Sequence, residues 1–180
     1  MAMPAAKLWT VEEVDSLPDD GNKYEVIDGE LFVTPSPTFG HEWMIARLAR
    51  LLDRFVEAHD LGMVFAGRPA VRVPGSSVEP DLIVAQTPVD PRARWEDAPT
   101  PYLVVEVHSP STRRRDQIQK REFYLRTGIP EYWMVDLDRR SITQVRPGCE
   151  DVISEASMTW RPSGVAADLT FSVAELFGAK

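Results

Sequence analysis

A single cysteine, Cys149, and three histidines are all that the 180-residue chain offers as thiol or imidazole ligands. One thiol cannot close an internal disulfide, which fits a reducing cytoplasm. His41, His59, His108 and Cys149 are scattered, without the paired short spacing of a zinc site. Long apolar runs are missing too. The longest, Leu82 to Ala85 and Tyr102 to Val105, are strand-sized, far below the ~20 residues of a membrane-spanning helix. Met1 to Trp9 holds one lysine and no apolar segment of signal-peptide length, so the reading is a cytoplasmic protein with no membrane partner. No glycine-rich loop joins a strand to a helix, which excludes nucleotide-binding loops of that kind, and no G-x-S-x-G elbow marks a serine hydrolase. Positive charge is in deficit: 20 Lys+Arg stand against 28 Asp+Glu, a net charge of −8. That balance excludes a protein that coats nucleic acid non-specifically, yet it leaves room for a local basic patch or for an acidic cation site.

What is present is an ordinary globular composition, 43% hydrophobic and 27% charged, on a length that suits one domain spanning residues 1–180. Residues 1–22 read as a leader, with Thr10-Val11-Glu12-Glu13 opening a short helix. Tyr24 to Thr34 reads as a hairpin turning at Asp28-Gly29. Met44, Ile45, Leu48, Leu52, Phe55 and Val56 recur on one stripe of a helix from about His41 to His59, with Arg47, Arg50 and Arg54 on the other side. Strands are predicted at Met63 to Ala66, Ala70 to Val73, Asp81 to Ala85, Tyr102 to Val107, Glu131 to Asp136 and Arg140 to Arg146. The Pro-rich stretch Thr87 to Pro101 is a loop carrying Trp95. A second helix, capped by Ser111 or Thr112, is predicted to run to Thr127 and stop at Gly128. Residues 23–146 form the core of this reading and 147–180 an extension with a strand and a short helix opened by Ser172-Val173-Ala174-Glu175. The fold class is α/β or α+β, a mixed sheet covered by helices.

Two carboxylates stand against apolar strands: Asp81 opens Leu82-Ile83-Val84, and Glu106 lies inside Tyr102 to Val107. A carboxylate in such a place loses hydration unless it is paired or binds a cation. If the two strands are neighbours, the pair makes a hard oxygen site suited to Mg²⁺ or Mn²⁺. The alternative is that each pairs with an arginine or caps a loop. Just downstream, Ser111 to Arg126 carries six basic residues (Arg113, Arg114, Arg115, Lys120, Arg121, Arg126) against Asp116 and Glu122. That helix could meet a phosphate backbone, or it is a solvated face with Asp116 and Lys120 as an i,i+4 pair.

Pro80-Asp81 followed by Glu106-Val107 in an apolar strand resembles the PD-(D/E)XK nuclease superfamily. Val105-Glu106-Val107-His108-Ser109-Pro110-Ser111-Thr112 resembles, more narrowly, the restriction endonuclease family of small bacterial proteins of the Uma-two type. Asp116, Lys120, Tyr124, Gly128 to Asp136, Tyr24 to Glu30 and His41 continue the likeness. The resemblance implies a restriction-endonuclease-like fold and a Mg²⁺-dependent endonuclease, with Mn²⁺ as the other candidate ion. It would act on DNA, with RNA as the other candidate substrate. Asp81 and Glu106 would hold the metal, with the Val107 carbonyl as a third ligand. A lysine would orient the attacking water. The superfamily pattern has that lysine two residues after Glu106, where this chain has His108. Lys120 is then the substitute, moved onto the following helix and steered by Asp116. His108 is a phosphate contact, a proton carrier or a neutral structural histidine. Glu25 is an additional carboxylate for a second ion or an exposed hairpin residue, and His41 contacts phosphate or bonds the Pro-rich loop. Arg113, Arg114, Arg115 and Arg121 are candidate nucleic-acid contacts. A homodimer is implied, with Tyr132, Trp133 and the Trp95 loop supplying interface area. The competing reading is a catalytically silent scaffold of the same fold that binds nucleic acid or dimerises.

Overall fold

The computed structural model describes residues 7–86, 90, 92–108 and 116–178, the side chains of Asp116 and Gln117 excepted. At the N-terminal end Thr10 and Glu13 satisfy each other's backbone N–H groups, at 3.0 and 3.2 Å, and so start α1 (Val11–Asp15). β1 (Lys23–Ile27) and β2 (Glu30–Thr34) pair from Ile27↔Glu30 outward. Their turn is Asp28-Gly29, both at positive φ (52° and 83°), the pair of left-handed residues that matches hairpin twist. β4 (Val71–Val73) and β5 (Ser76–Val78) form a second hairpin, and β5 joins β1 to give a four-stranded sheet ordered β2-β1-β5-β4. β5 has no hydrophobic alternation to announce it. Its position is set by partners, among them the Ser76 hydroxyl that accepts the Asp28 N–H at 3.0 Å.

The larger sheet has six strands: β3 (Met63–Ala66), β6 (Leu82–Ala85), β7 (Leu103–His108), β8 (Tyr132–Asp136), β9 (Ser141–Val145) and β10 (Val152–Ser154), in the order β10-β9-β8-β7-β6-β3. β7 and β8 are parallel and every other pairing is antiparallel. All residues of β6, β7 and β8 are buried, which is why those strands read as continuous apolar runs. The two-residue period divides them between two cores. Leu82, Val84, Leu103, Val105, Val107, Trp133 and Val135 face α2 (Phe39–Ala58), whose predicted stripe from Met44 to Val56 is buried there. Ile83, Val104, Tyr132 and Met134 face the smaller sheet and α3 (Arg121–Arg126). Thr38 caps α2, so the helix begins two residues before His41.

The described part of the crossover between β7 and β8 opens with one π-helical turn, Asp116–Lys120, that runs directly into α3. The N-terminal part of the predicted second helix lies outside the described residues. The C-terminal extension carries more strand than expected: β11 (Ser157–Trp160) and β12 (Leu169–Ser172) form a hairpin, followed by α4 (Val173–Leu176), whose Ser172 cap accepts the Glu175 N–H at 3.1 Å. Met158, Trp160, Val173 and Leu176 bury into the α2 side of the core. This overturns the assignment of Tyr132 and Trp133 to an interface. Trp133 packs edge-on against Trp160, ring centroids 6.0 Å apart, and both Tyr132 and Trp133 are buried because their strand is central. Trp95 rests edge-on against Phe65. No helix among the described residues is long and apolar enough to cross a membrane.

Candidate active site

The β6–β7 ladder stops at Leu82↔Val105, and Asp81 stands one residue beyond it, opposite Glu106. There the Asp81 side chain replaces the missing backbone acceptor, taking the Val107 N–H on Oδ2 at 2.8 Å. The same oxygen lies 3.1 Å from Nε2 of His41 in the first turn of α2. The other carboxylate oxygen, Oδ1, is 3.3 Å from the Lys23 ammonium, which also donates to the Glu79 carbonyl at 2.9 Å. Four elements thus meet at one side chain. Burial acts to raise the Asp81 pKa, but Lys23 and His41 outweigh it and hold the carboxyl well below its ordinary range. Burial also acts against the charge on His41, and the bond to Asp81 lifts its pKa above the usual imidazole value. For Lys23, burial and the Lys120 charge act downward, yet Asp81, Glu25 and Glu106 raise the ammonium above its ordinary value.

Glu106 projects from β7 toward the α3 side. Its Oε1 accepts from the Lys120 ammonium at 2.7 Å and from the Tyr124 hydroxyl at 2.7 Å. Lys120 and Tyr124 are four residues apart, so one helical face presents both donors. Burial above all, and then the Glu106 charge, push the Tyr124 phenol well above its normal pKa, so it stays a donor. Glu25, fully buried on β1, brings Oε1 to 2.8 Å from the Lys120 ammonium and accepts the Glu79 N–H at 2.9 Å. Lys120 therefore bridges Glu25 and Glu106, and Glu25 ties the small sheet to the turn that carries Asp81.

A cavity of about 420 Å³ opens on this constellation, lined by Lys23, His41, Asp81, Glu106, Val107 and the Thr34–Thr38 loop. Lys120 and Glu25 lie behind Glu106 and do not line it. The structure thus brings Asp81, Glu106, Lys120, Glu25 and His41 together. His41 is paired with Asp81 rather than with the Pro-rich loop, and Glu25 is buried rather than on an exposed hairpin edge. His108 is buried on β7, in register with Asp136. Arg113, Arg114, Arg115 and the Asp116 side chain lie outside the described residues. Arg121 forms an ion pair with Asp151 at 2.9 Å, and Arg126 with Asp28 at 2.6 Å. Lys23 and Tyr124 carried no assigned role in the sequence. Lys23 stands two residues before Glu25, so strand alternation puts both on one face, and Tyr124 follows Lys120 at i+4.

Whether a divalent cation fits can be judged from the donors. Asp81 and Glu106 present hard oxygens to the same cavity. Among the described residues no three His, Cys, Asp or Glu side chains are grouped as a ready cage. Two carboxylates, with water and substrate oxygens completing the shell, match Mg²⁺, which keeps several waters, better than a soft-metal site. The residues fit the ion.

A mixed sheet flanked by helices, with acidic side chains meeting where its central strands end, is the restriction-endonuclease-like fold of the PD-(D/E)XK superfamily. The chain belongs to the Uma2 family, described as "Putative restriction endonuclease", whose model matches residues 11–174. Among solved structures it is similar to one from Anabaena variabilis ATCC 29413, described as "a putative nuclease belonging to DUF820", with a TM-score of 0.78 at 21% identity. That match covers 94% of this chain and 97% of the other. No curated protein matches the sequence.

Proposed function

We propose that the protein is a metal-dependent endonuclease that hydrolyses phosphodiester bonds of DNA in the cytoplasm. The observation that carries this reading is the convergence of Asp81 and Glu106 on one cavity wall, with the Lys120 ammonium held against Glu106 although the strand offers His108 in the usual lysine position. Asp81 and Glu106 are the residues to hold Mg²⁺ or Mn²⁺, and the chemistry such an ion supplies is Lewis acidity toward water and phosphate. Lys120 is the residue to orient the attacking water and offset charge on the phosphate oxygens. Its ammonium, held here by Glu25 and Glu106 behind the cavity wall, reaches the cavity once its bond to Glu106 is released. Glu25 is a positioning residue that fixes Lys120 on a helix, where it lacks the rigidity of a strand. Lys23 faces the cavity and adds positive charge there. Asp116 remains a candidate for steering Lys120, and His108 for phosphate contact.

One observation favours the silent scaffold: both carboxylates already have internal cationic partners. Nicking of supercoiled plasmid at low salt separates the two. The nuclease cuts with Mg²⁺ or Mn²⁺, stops with EDTA, and loses at least 100-fold in rate as Asp81→Asn or Glu106→Gln. Equal background from the wild type and both variants would leave the scaffold reading.

A further inference from the structure

We propose that the outer face of α2 is a track for one unpaired nucleic-acid strand leaving the catalytic cavity, built from Phe39, Trp43, Arg47, Arg50 and Arg54. This rests on the nuclease reading and adds to it the form of the substrate. The five residues recur at steps of four, four, three and four, which places them on one face, opposite the buried stripe from Met44 to Val56. Their aromatic members are not core residues: Phe39 is 85% exposed and Trp43 37%. The first turn of α2 divides two concavities. His41, Glu42 and Ile45 line the catalytic cavity, while Trp43 and the three arginines line a groove of about 590 Å³ on the other side. A strand leaving the cavity over that turn meets the track at once.

The arginines are set for a polyanion. Arg47 donates to the carbonyls of Leu176 and Glu175 at 2.7 and 2.8 Å, which fixes its guanidinium 4.8 Å from the Trp43 ring centroid as a stacked platform. Arg50 and Arg54 make no ion pair among the described residues, whereas Arg68, Arg72, Arg121, Arg126 and Arg161 all do. Arg47, Arg50 and Arg54 gather three cationic groups on this face. Asp53 and Glu57 are the exposed i+3 neighbours of Arg50 and Arg54, and neither holds its arginine in an ion pair among the described residues. Glu175 is the one acidic residue of the groove wall. Exposed aromatic faces interleaved with arginines bind single strands through base stacking and phosphate pairing, with little sequence preference. Bases in a duplex keep their faces stacked on each other, so an unpaired strand is the occupant that uses Phe39 and Trp43. From Phe39 to Arg54 the helix rises roughly 22 Å at about 1.5 Å per residue. That length takes a few nucleotides of an extended, unstacked strand.

The test uses the full chain and fluorescence anisotropy of fluorescein-labelled oligothymidylates of twelve and three nucleotides, with Ca²⁺ in place of Mg²⁺ so that binding is read without cleavage. The track predicts that the twelve-mer binds more tightly than the three-mer. Arg50→Ala/Arg54→Ala should weaken the twelve-mer roughly tenfold at low salt and flatten its log–log salt slope by about 1.4, since each single-strand phosphate contact contributes ~0.7. Trp43→Ala should weaken the twelve-mer by roughly tenfold through lost stacking. Three-mer binding should not change in either variant, and near-UV circular dichroism shows that both fold. An unchanged twelve-mer affinity and slope in the double variant overturns the track. A wild-type dimer on gel filtration that becomes monomeric in the double variant also overturns it, because the face then joins two copies. Failure of the nuclease reading looks different: plasmid stays uncut with every ion, while the arginine dependence of twelve-mer binding still supports the track.

Discussion

Glu106 Oε1 receives two donors from one helical face, and the two make different contributions. The Tyr124 hydroxyl is a neutral donor to a buried carboxylate, an interaction of about 1.5–3 kcal/mol. Tyr124→Phe keeps the ring packing and should lower unfolding free energy by about that amount in urea titration; a loss below about 0.5 kcal/mol would mean that the bond contributes little. Glu25 gives a sharper contrast. As the anchor of Lys120, Glu25→Ala should cut the cleavage rate at least roughly tenfold, Glu25→Gln should recover most of it, and Mn²⁺ affinity measured by calorimetry should stay within about twofold in both. Weakened Mn²⁺ binding would instead make Glu25 a metal ligand. For the metal-free protein, Asp81 and His41 set opposite pH limbs. The depressed Asp81 pKa contributes stability that is fully present above about pH 4, the unfolded value, and is lost as pH falls through the folded value. The raised His41 pKa contributes stability present below about pH 6.5 and lost as pH rises through the folded value. Urea midpoints should therefore peak near pH 5, and Asp81→Asn should flatten both limbs. At this scale Asp81 and Glu106 stood out because an acidic residue against an apolar strand is anomalous, whereas Lys120 was singled out by the family resemblance alone. Lys23 was not legible, since nothing local in Lys23-Tyr24-Glu25 distinguishes a buried ammonium from an exposed one.

Elements were legible where one local signal decides them. Asp28-Gly29 turns as its residue types require, Thr10 and Ser172 cap as expected, and the apolar stripe of α2 is the buried one. β5 was not, because Ser76-Ser77-Val78 takes its conformation from β1 and β4. The π-helical turn Asp116–Lys120 was also invisible, having no composition of its own, and it is the turn that delivers Lys120 to Glu106. One glycine controls an element contact. Gly62, at φ 144°, stands between α2 and β3 beside the end of β6, and a Cβ there would stand 1.9 Å from the Ala85 carbonyl oxygen. Since that neighbour is backbone in a buried strand, Gly62→Ala should lower unfolding free energy by more than about 2 kcal/mol, measured by urea denaturation. Gly67, with open space around its Cβ position, is the comparison: Gly67→Ala meets only its own positive φ, about 1–2 kcal/mol.

Across the whole molecule the six-stranded sheet separates an α2 side from a side covered by the smaller sheet and α3, and the sequence alternation of β6, β7 and β8 already encodes both. How the C-terminal residues join was not legible, because Met158 and Trp160 find their partners far away along the chain. Since they share a core with α2, we propose that the chain unfolds as one unit: tryptophan fluorescence and far-UV circular dichroism should give coincident urea transitions. Separate midpoints would divide the tail from the rest. The central claim is that a helix-borne lysine serves carboxylates carried by two strands. Its most direct test is single-turnover cleavage at saturating Mn²⁺ by Lys120→Gln and His108→Ala, each shown to be folded by near-UV circular dichroism. The account predicts a loss of at least roughly 100-fold for Lys120→Gln and a change of no more than a few-fold for His108→Ala. An active Lys120→Gln beside an inactive His108→Ala would contradict it.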